Sequence, residues 1–130
     1  DTVNDARPAV EFRHADWIRT TVLDGLARRG VTIVCPDLPP LPNLPRFRPI
    51  TTSSVCYLRL HGRNTQHWWN GTNETRYHYR YSEVELRNIA ANVRSVVGDV
   101  ETLVIAFNNH FAGNAFHNAI ELHGMVNSGG

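Results

Sequence analysis

Charged and hydrogen-bonding residues follow each of four short apolar runs in this sequence. Glu11, Arg13 and His14 close the first run, and Asp37 follows the second. His61-Gly62-Arg63-Asn64 follow the third, and Asn108-Asn109-His110 the fourth. A guanidinium is a planar fork that matches the oxygens of phosphate or carboxylate. Arg13, Arg59 and Arg63 are therefore candidates for holding an anionic substrate. An imidazole titrates near neutral pH, which makes His61 and His110, with Glu11, the candidate general acids and bases. His14, Asn64, Asn108 and Asn109 add polar groups for binding. Trp68 and Tyr79 offer rings to stack on a ligand or close over it.

His14, His61, His67 and His110, with Glu11 and Asp37, also raise the question of a metal. No pair has the i, i+4 spacing of a zinc-binding helix, and nothing resembles a zinc ribbon. Ligands gathered from separate strand ends are geometrically allowed, so a divalent cation stays open and no cofactor is assigned. The sequence has no nucleophile elbow, P-loop or dinucleotide fingerprint. Serine and cysteine nucleophile mechanisms thus lack local support.

The elements that must position these groups are legible. Residues 9–13, 31–35, 55–61 and 103–108 read as buried parallel strands. They are rich in β-branched and aliphatic residues, too short for helices, and bounded by Pro, Gly and Asn. Residues 17–29 form a first helix with Ile18, Val22 and Leu26 inward, Asp16 as N-cap and Gly30 just past its end. The second starts at Ser82 with a capping box to Glu85, carries Leu86, Ile89, Val93 and Val97 inward, and ends at Gly98. Residues 114–126 form a third, with Ala115, Ala119, Leu122 and Val126 inward. This order predicts an α/β domain with a parallel sheet over residues 1–130. Polar groups at the C-terminal ends of parallel strands converge on one rim, where loops meet and ligands bind.

Alternation along the strands sharpens the picture. Leu58 and Leu60 share one face, while Tyr57, Arg59 and His61 share the other, and Glu11 and Arg13 oppose Val10 and Phe12. An open sheet covered by helices on both faces would bury Glu11, Arg13, Arg59 and His61 at large cost. A barrel with a polar lumen accommodates them, with Glu11 and Arg59 paired. Of the two long loops, residues 36–54 hold six prolines and read as a rigid connector. Residues 62–81 interleave Trp68, Trp69, Tyr77, Tyr79 and Tyr81 with Arg63, Arg76 and Arg80, and read as a ligand-covering loop.

Composition sets the bounds. The chain has 130 residues, a formal net charge of +1 and 19% charged residues, which suits one compact domain. All 13 basic residues are Arg, a usage that codon preference explains more simply than function. Without a basic run there is no footprint for general nucleic-acid binding, though local binding at a cleft stays open. Cys35 and Cys56 read as buried free thiols, expected at opposite edges of the sheet and too far apart to bridge, which suits a reducing cytoplasm. No apolar window reaches the roughly 20 residues of a membrane span. The two Asn-X-Thr sequons at Asn70 and Asn73 read as chance. The polar start, without Met, reads as a chain cut from a longer one.

Four ordered motifs carry a resemblance. They are Val10-Glu11-Phe12-Arg13-His14 with Trp17; Tyr57-Leu58-Arg59-Leu60-His61-Gly62-Arg63-Asn64 with Trp68; Arg76-Tyr77-His78-Tyr79-Arg80-Tyr81-Ser82 with Glu85-Leu86; and Phe107-Asn108-Asn109-His110 with Gly113, Ala115, Asn118 and Ala119. Together, over residues 9–126, they resemble the YecE-like family, also called domain of unknown function 72. The resemblance implies a TIM-type β/α barrel, of which this chain is similar to the C-terminal half, strands five to eight. It carries no established reaction. It implies site positions at Glu11, Arg13, His14, Arg59, His61, Asn64, Asn108 and Asn109. The expected function is an enzyme acting on a phosphorylated or nucleic-acid-like substrate at the C-terminal rim, and the alternative is a non-catalytic binding module using loop 62–81. The expected partner is the missing N-terminal half, or a second copy joined through the sheet edges.

Overall fold

A computed structural model describes residues 6–128; residues 1–5 of the polar start lie outside the described residues. Four strands, β1 (Ala9–Glu11), β2 (Thr32–Asp37), β3 (Val55–Leu60) and β4 (Thr102–Phe107), form one sheet in the order β1-β2-β3-β4. All three pairings are parallel. The helices are α1 (Thr20–Arg28), the single turn α2 (Asn73–Arg76), α3 (Glu83–Val96) and α4 (Asn114–Ser128). The chain is therefore mixed α/β with a parallel four-stranded sheet. No described helix is long and apolar enough to cross a membrane.

The register explains which side is covered. Cys35 lies beside Leu58, Leu58 beside Ile105, and Leu60 beside Phe107. These residues share a face, and that face packs against Leu86, Ile89, Ala90 and Val93 of α3 and Leu122 of α4. Each buried aliphatic side chain of this kind contributes about 1.5–3 kcal/mol. Helices thus cover one face. The opposite face presents Glu11, Val34, Tyr57 and Val104 in one lateral row, and Arg59 and Ala106 in the next.

Several boundaries move for local reasons. Strand β1 stops at Glu11, two residues early, because Ala15 N–H is bonded to the Asn43 carbonyl at 2.8 Å, which turns the chain. Asp16 is not the N-cap of α1. A 3-10 turn at Ala15–Trp17 intervenes, capped by His14, whose side chain accepts from Asp16 N–H, and α1 begins only after Arg19. Strand β2 runs on through Pro36 to Asp37. Asp37 points to β3, where its carbonyl accepts from His61 N–H at 3.0 Å, so Pro36 points toward β1, which has already ended. The missing N–H therefore breaks no ladder bond. The capping box at Ser82 and Glu85 forms as expected, but a 3-10 turn, Val97–Asp99, carries the chain past Gly98. On α4 the buried positions are Asn114, Asn118 and Leu122, whereas Ala119 is exposed. Phasing by apolar residues misplaced that face because two asparagines fill it.

Both cysteines are free and buried. They do not sit at opposite edges. Cys35 lies beside Leu58, two residues beyond Cys56 on the same face. Two residues of rise and one strand spacing put their Cα atoms about 8 Å apart, still beyond disulfide reach.

Candidate functional site

The uncovered face converges on Glu11. Its carboxylate accepts from Arg13 Nε, from Arg59 Nη1 at 3.2 Å and from His61 Nε2 at 3.1 Å. On the far side of the imidazole, Asn108 Nδ2 lies 3.1 Å from Nδ1. A carboxylate only accepts and an amide NH2 only donates, so the tautomer that satisfies both shorter contacts carries its proton on Nε2 and a lone pair on Nδ1, which leaves Arg13 Nη2, 3.4 Å from Nε2, in contact without a hydrogen bond. His61 is wholly buried, with the Tyr77 ring 5.8 Å away. Burial lowers its pKa and outweighs the pull of Glu11 in the other direction. Burial would by itself raise Glu11. The hydrogen bond of His61 and the charge it takes on in acid, with the charge of Arg13, reverse this and hold Glu11 at about 2. At neutral pH the cluster therefore holds an ionised Glu11, a neutral His61 and two guanidinium charges.

Access is graded within this cluster. The side chains of Arg13 and Arg59 are 40% and 35% exposed, Glu11 is 10% exposed, and His61 is closed off. The front of the site is thus two arginines on one carboxylate, with the imidazole behind them. Two positive charges against one negative leave a surplus of one, which suits an anionic ligand.

Other expected site residues do different work. Arg63 forks Asp37, donating from Nε at 2.9 Å and from Nη2 at 2.8 Å, and reaches Glu85 at 3.4 Å. Its donors are thereby committed to carboxylates of the protein. Asp37 also accepts from Tyr81 Oη at 2.6 Å, and Tyr79 Oη donates to Glu85 at 2.6 Å. Burial first, and then the neighbouring carboxylates, raise both tyrosine pKa values. Tyr79 is therefore a strut of this network and not a free ring. Asn64 fastens the loop: its Nδ2 donates to the Thr75 and His78 carbonyls, and its Oδ1 accepts from His67 N–H.

Asn109 is fully buried, donating to the Tyr79 carbonyl at 2.8 Å and to Asn118 Oδ1 at 3.0 Å. It ties β4 to α4. His14 caps the 3-10 turn, and exposed His110, among the described residues, bonds only the Asn108 carbonyl. Neither is bonded into the Glu11 cluster. Trp68, expected to stack on a ligand, is buried with Leu38 and Leu44. The guanidinium carbons of Arg76 and Arg13 lie 5.6 and 5.9 Å from its ring centroid, so it orients Arg13 by a cation–π contact. Among the described residues, no three of His, Cys, Asp or Glu gather at metal-ligating distance. His14, His61, His67, His110, Glu11 and Asp37 thus do not assemble a metal site between them.

Sequence reading missed Tyr77 as the cover of His61, and it missed the network of Asp37, Tyr81 and Glu85. Glu85 carried only a capping signal, and no local pattern tells a buried Asp at a strand end from an exposed one.

The family model described as protein of unknown function DUF72 matches residues 1–130. This chain belongs to the DUF72 family. It is 28% identical over 132 residues to UPF0759 protein YunF of Bacillus subtilis (strain 168), covering 92% of this chain and 46% of that protein. The crystal structure of a DUF72 family protein from Thermotoga maritima MSB8 superposes with a TM-score of 0.88 at 40% identity, over 92% of this chain and 46% of that one. A DUF72 family protein from Enterococcus faecalis V583 gives a TM-score of 0.82 at 25% identity, with 92% and 47% covered. The chain spans about half the length of the relatives it matches. Within this DUF72 chain, Glu11, Arg13, Arg59, His61 and Asn108 converge, whereas His14, Asn64 and Asn109 fasten turns and helices.

Proposed function

We propose that this chain is the C-terminal half of a TIM-type β/α barrel whose Glu11 cluster faces the lumen. In that reading the barrel is an enzyme acting on a phosphorylated or nucleic-acid-like substrate at the C-terminal rim. Four parallel strands in consecutive order, helices on one face and ionisable side chains on the other support it. A closed barrel needs about eight strands, and relatives twice as long have room for four more. The remaining strands come from the rest of a longer polypeptide, or from a second copy, joined at the free edges of β1 and β4.

The observation that carries the functional reading is the pair of part-exposed guanidiniums braced on one part-buried carboxylate. Arg13 and Arg59 receive the anionic oxygens. Glu11 stays ionised and fixes the tautomer of His61, and His61, closed off from solvent, exchanges its Nε2 proton with the Glu11 carboxylate, which faces the arginines and the substrate. The test is turnover of a phosphomonoester and phosphodiester panel by the full-length protein, with and without divalent metals. Glu11→Gln and His61→Asn should abolish turnover, and Arg13→Ala should weaken binding. Unchanged turnover in all three variants would remove the cluster from the reaction. Trp69, 64% exposed, favours a second reading in which loop 62–81 is a non-catalytic binding surface. Binding without turnover on the same panel would select that one.

A further inference from the structure

The segment joining β2 to β3 walls a cavity of about 490 Å³ that shares no lining residue with the Glu11 cluster. Ligand sites commonly span roughly 300–1,000 Å³. The walls are Leu38, Leu41, Leu44 and Phe47 with the rings of Pro39, Pro40, Pro42 and Pro45. Four prolines with fixed φ leave the wall little freedom to lose when something binds. Backbone bonds hold it as well: Leu41 N–H to the Pro39 carbonyl at 2.8 Å, Leu44 N–H to the Leu41 carbonyl at 3.3 Å, and Ala15 N–H to the Asn43 carbonyl at 2.8 Å. Asn43 makes the bend with a left-handed φ of 70°, which Asn tolerates better than most residues.

Charge in this cavity is unbalanced. Asp37 at the floor is neutralised by the Arg63 fork. Arg46, in the exposed part of the lining, has no carboxylate partner among the described residues. Two arginines against one aspartate leave a single positive charge beside apolar walls. A bare phosphate would have no use for four prolines, three leucines and a phenylalanine. A neutral hydrocarbon would have no use for Arg46.

We infer that this cavity is a second small-molecule site, for a monoanion with a compact apolar body. The body rests against Leu41, Phe47 and the proline rings, and the anionic group meets Arg46. Trp68 packs with Leu38 and Leu44 and lies under Arg13, so it stands between the two sites without lining the cavity.

The test uses a matched pair of fluorescent probes on the full-length protein: 8-anilinonaphthalene-1-sulfonate and its uncharged parent, N-phenyl-1-naphthylamine. Both should bind saturably, one per chain. The sulfonate should bind about fivefold tighter, the size of one exposed charge pair. Arg46→Gln should erase that preference and leave the neutral probe unchanged. Leu41→Asp, which charges the wall, and Leu41→Trp, which fills the cavity, should each abolish binding of both probes while the far-ultraviolet dichroism stays native. Arg13→Ala should leave both affinities unchanged. Equal affinities of the two probes would overturn the assignment of a monoanion, and undiminished binding in both Leu41 variants would overturn the site itself.

Discussion

Arg59 and Arg63 stand four residues apart and illustrate what a side chain's partners decide. Strand position suggests that Arg59 is the more costly to remove, because a loop arginine contributes little. The contacts reverse that order. Losing Arg63 leaves Asp37, 2% exposed, with only the Tyr81 hydroxyl on its side chain. Stranding a buried charge costs about 3–5 kcal/mol. Losing Arg59 leaves Glu11 with Arg13 and His61, and the part-exposed pair is worth about 1 kcal/mol or less. Arg63→Ala should therefore melt well below Arg59→Ala, and the opposite order in thermal denaturation would refute the assignment of the two networks. His61 gives a second prediction. Its pKa in the folded chain lies below the ordinary 6.5, so protons favour the unfolded chain as the pH falls through that value. Stability should be complete above pH 6.5 and decline below it. His61→Gln, which cannot titrate, should flatten that decline. Parallel melting curves for the two proteins over this range would show that His61 is not held neutral.

At the scale of elements, the strands, the long helices and their parallel order were legible because apolar runs and caps are local signals. Ser82 and Glu85 announce α3 within four residues. The apolar alternation of β3 told its two faces apart, and that alone placed Arg59 and His61 together. Partners of the loop were not legible. Asn64, Asn109 and Trp68 were read as ligand contacts because their types suit ligands, yet Trp68 packs in a small core and the two asparagines satisfy polar groups of the protein itself. Hydrogen-bond demand of that kind arises between segments remote in sequence, so no spacing records it. The turn at the end of β3 carries a test. Gly62 has a φ of +91°, and an added Cβ would stand 2.7 Å from Tyr79 Cβ, whereas Gly30, at +66°, has open space. Both alanine variants incur the left-handed penalty of about 1–2 kcal/mol. Gly62→Ala must also displace Tyr79, which Glu85 holds, so its denaturant midpoint should fall clearly further than that of Gly30→Ala. Equal midpoints would mean that the loop yields freely.

For the whole molecule, the sheet ends on both sides without a neighbour among the described residues. Unpaired parallel edges are templates for another chain. The 130-residue chain on its own should therefore associate in sedimentation, and a strictly monomeric species of high thermal stability would argue against a half-barrel. The same geometry places the arginines at the outgoing ends of their strands, on the face that helices leave bare. That surface carries a carboxylate-braced arginine pair, which we propose binds an anion. Calorimetric titration of the full-length protein with inorganic phosphate at low salt tests it most directly. Saturable binding at one site is expected, weakened at least about tenfold in the Arg13→Ala, Arg59→Ala double variant. No binding by the unaltered protein, or equal binding by the double variant, would contradict it.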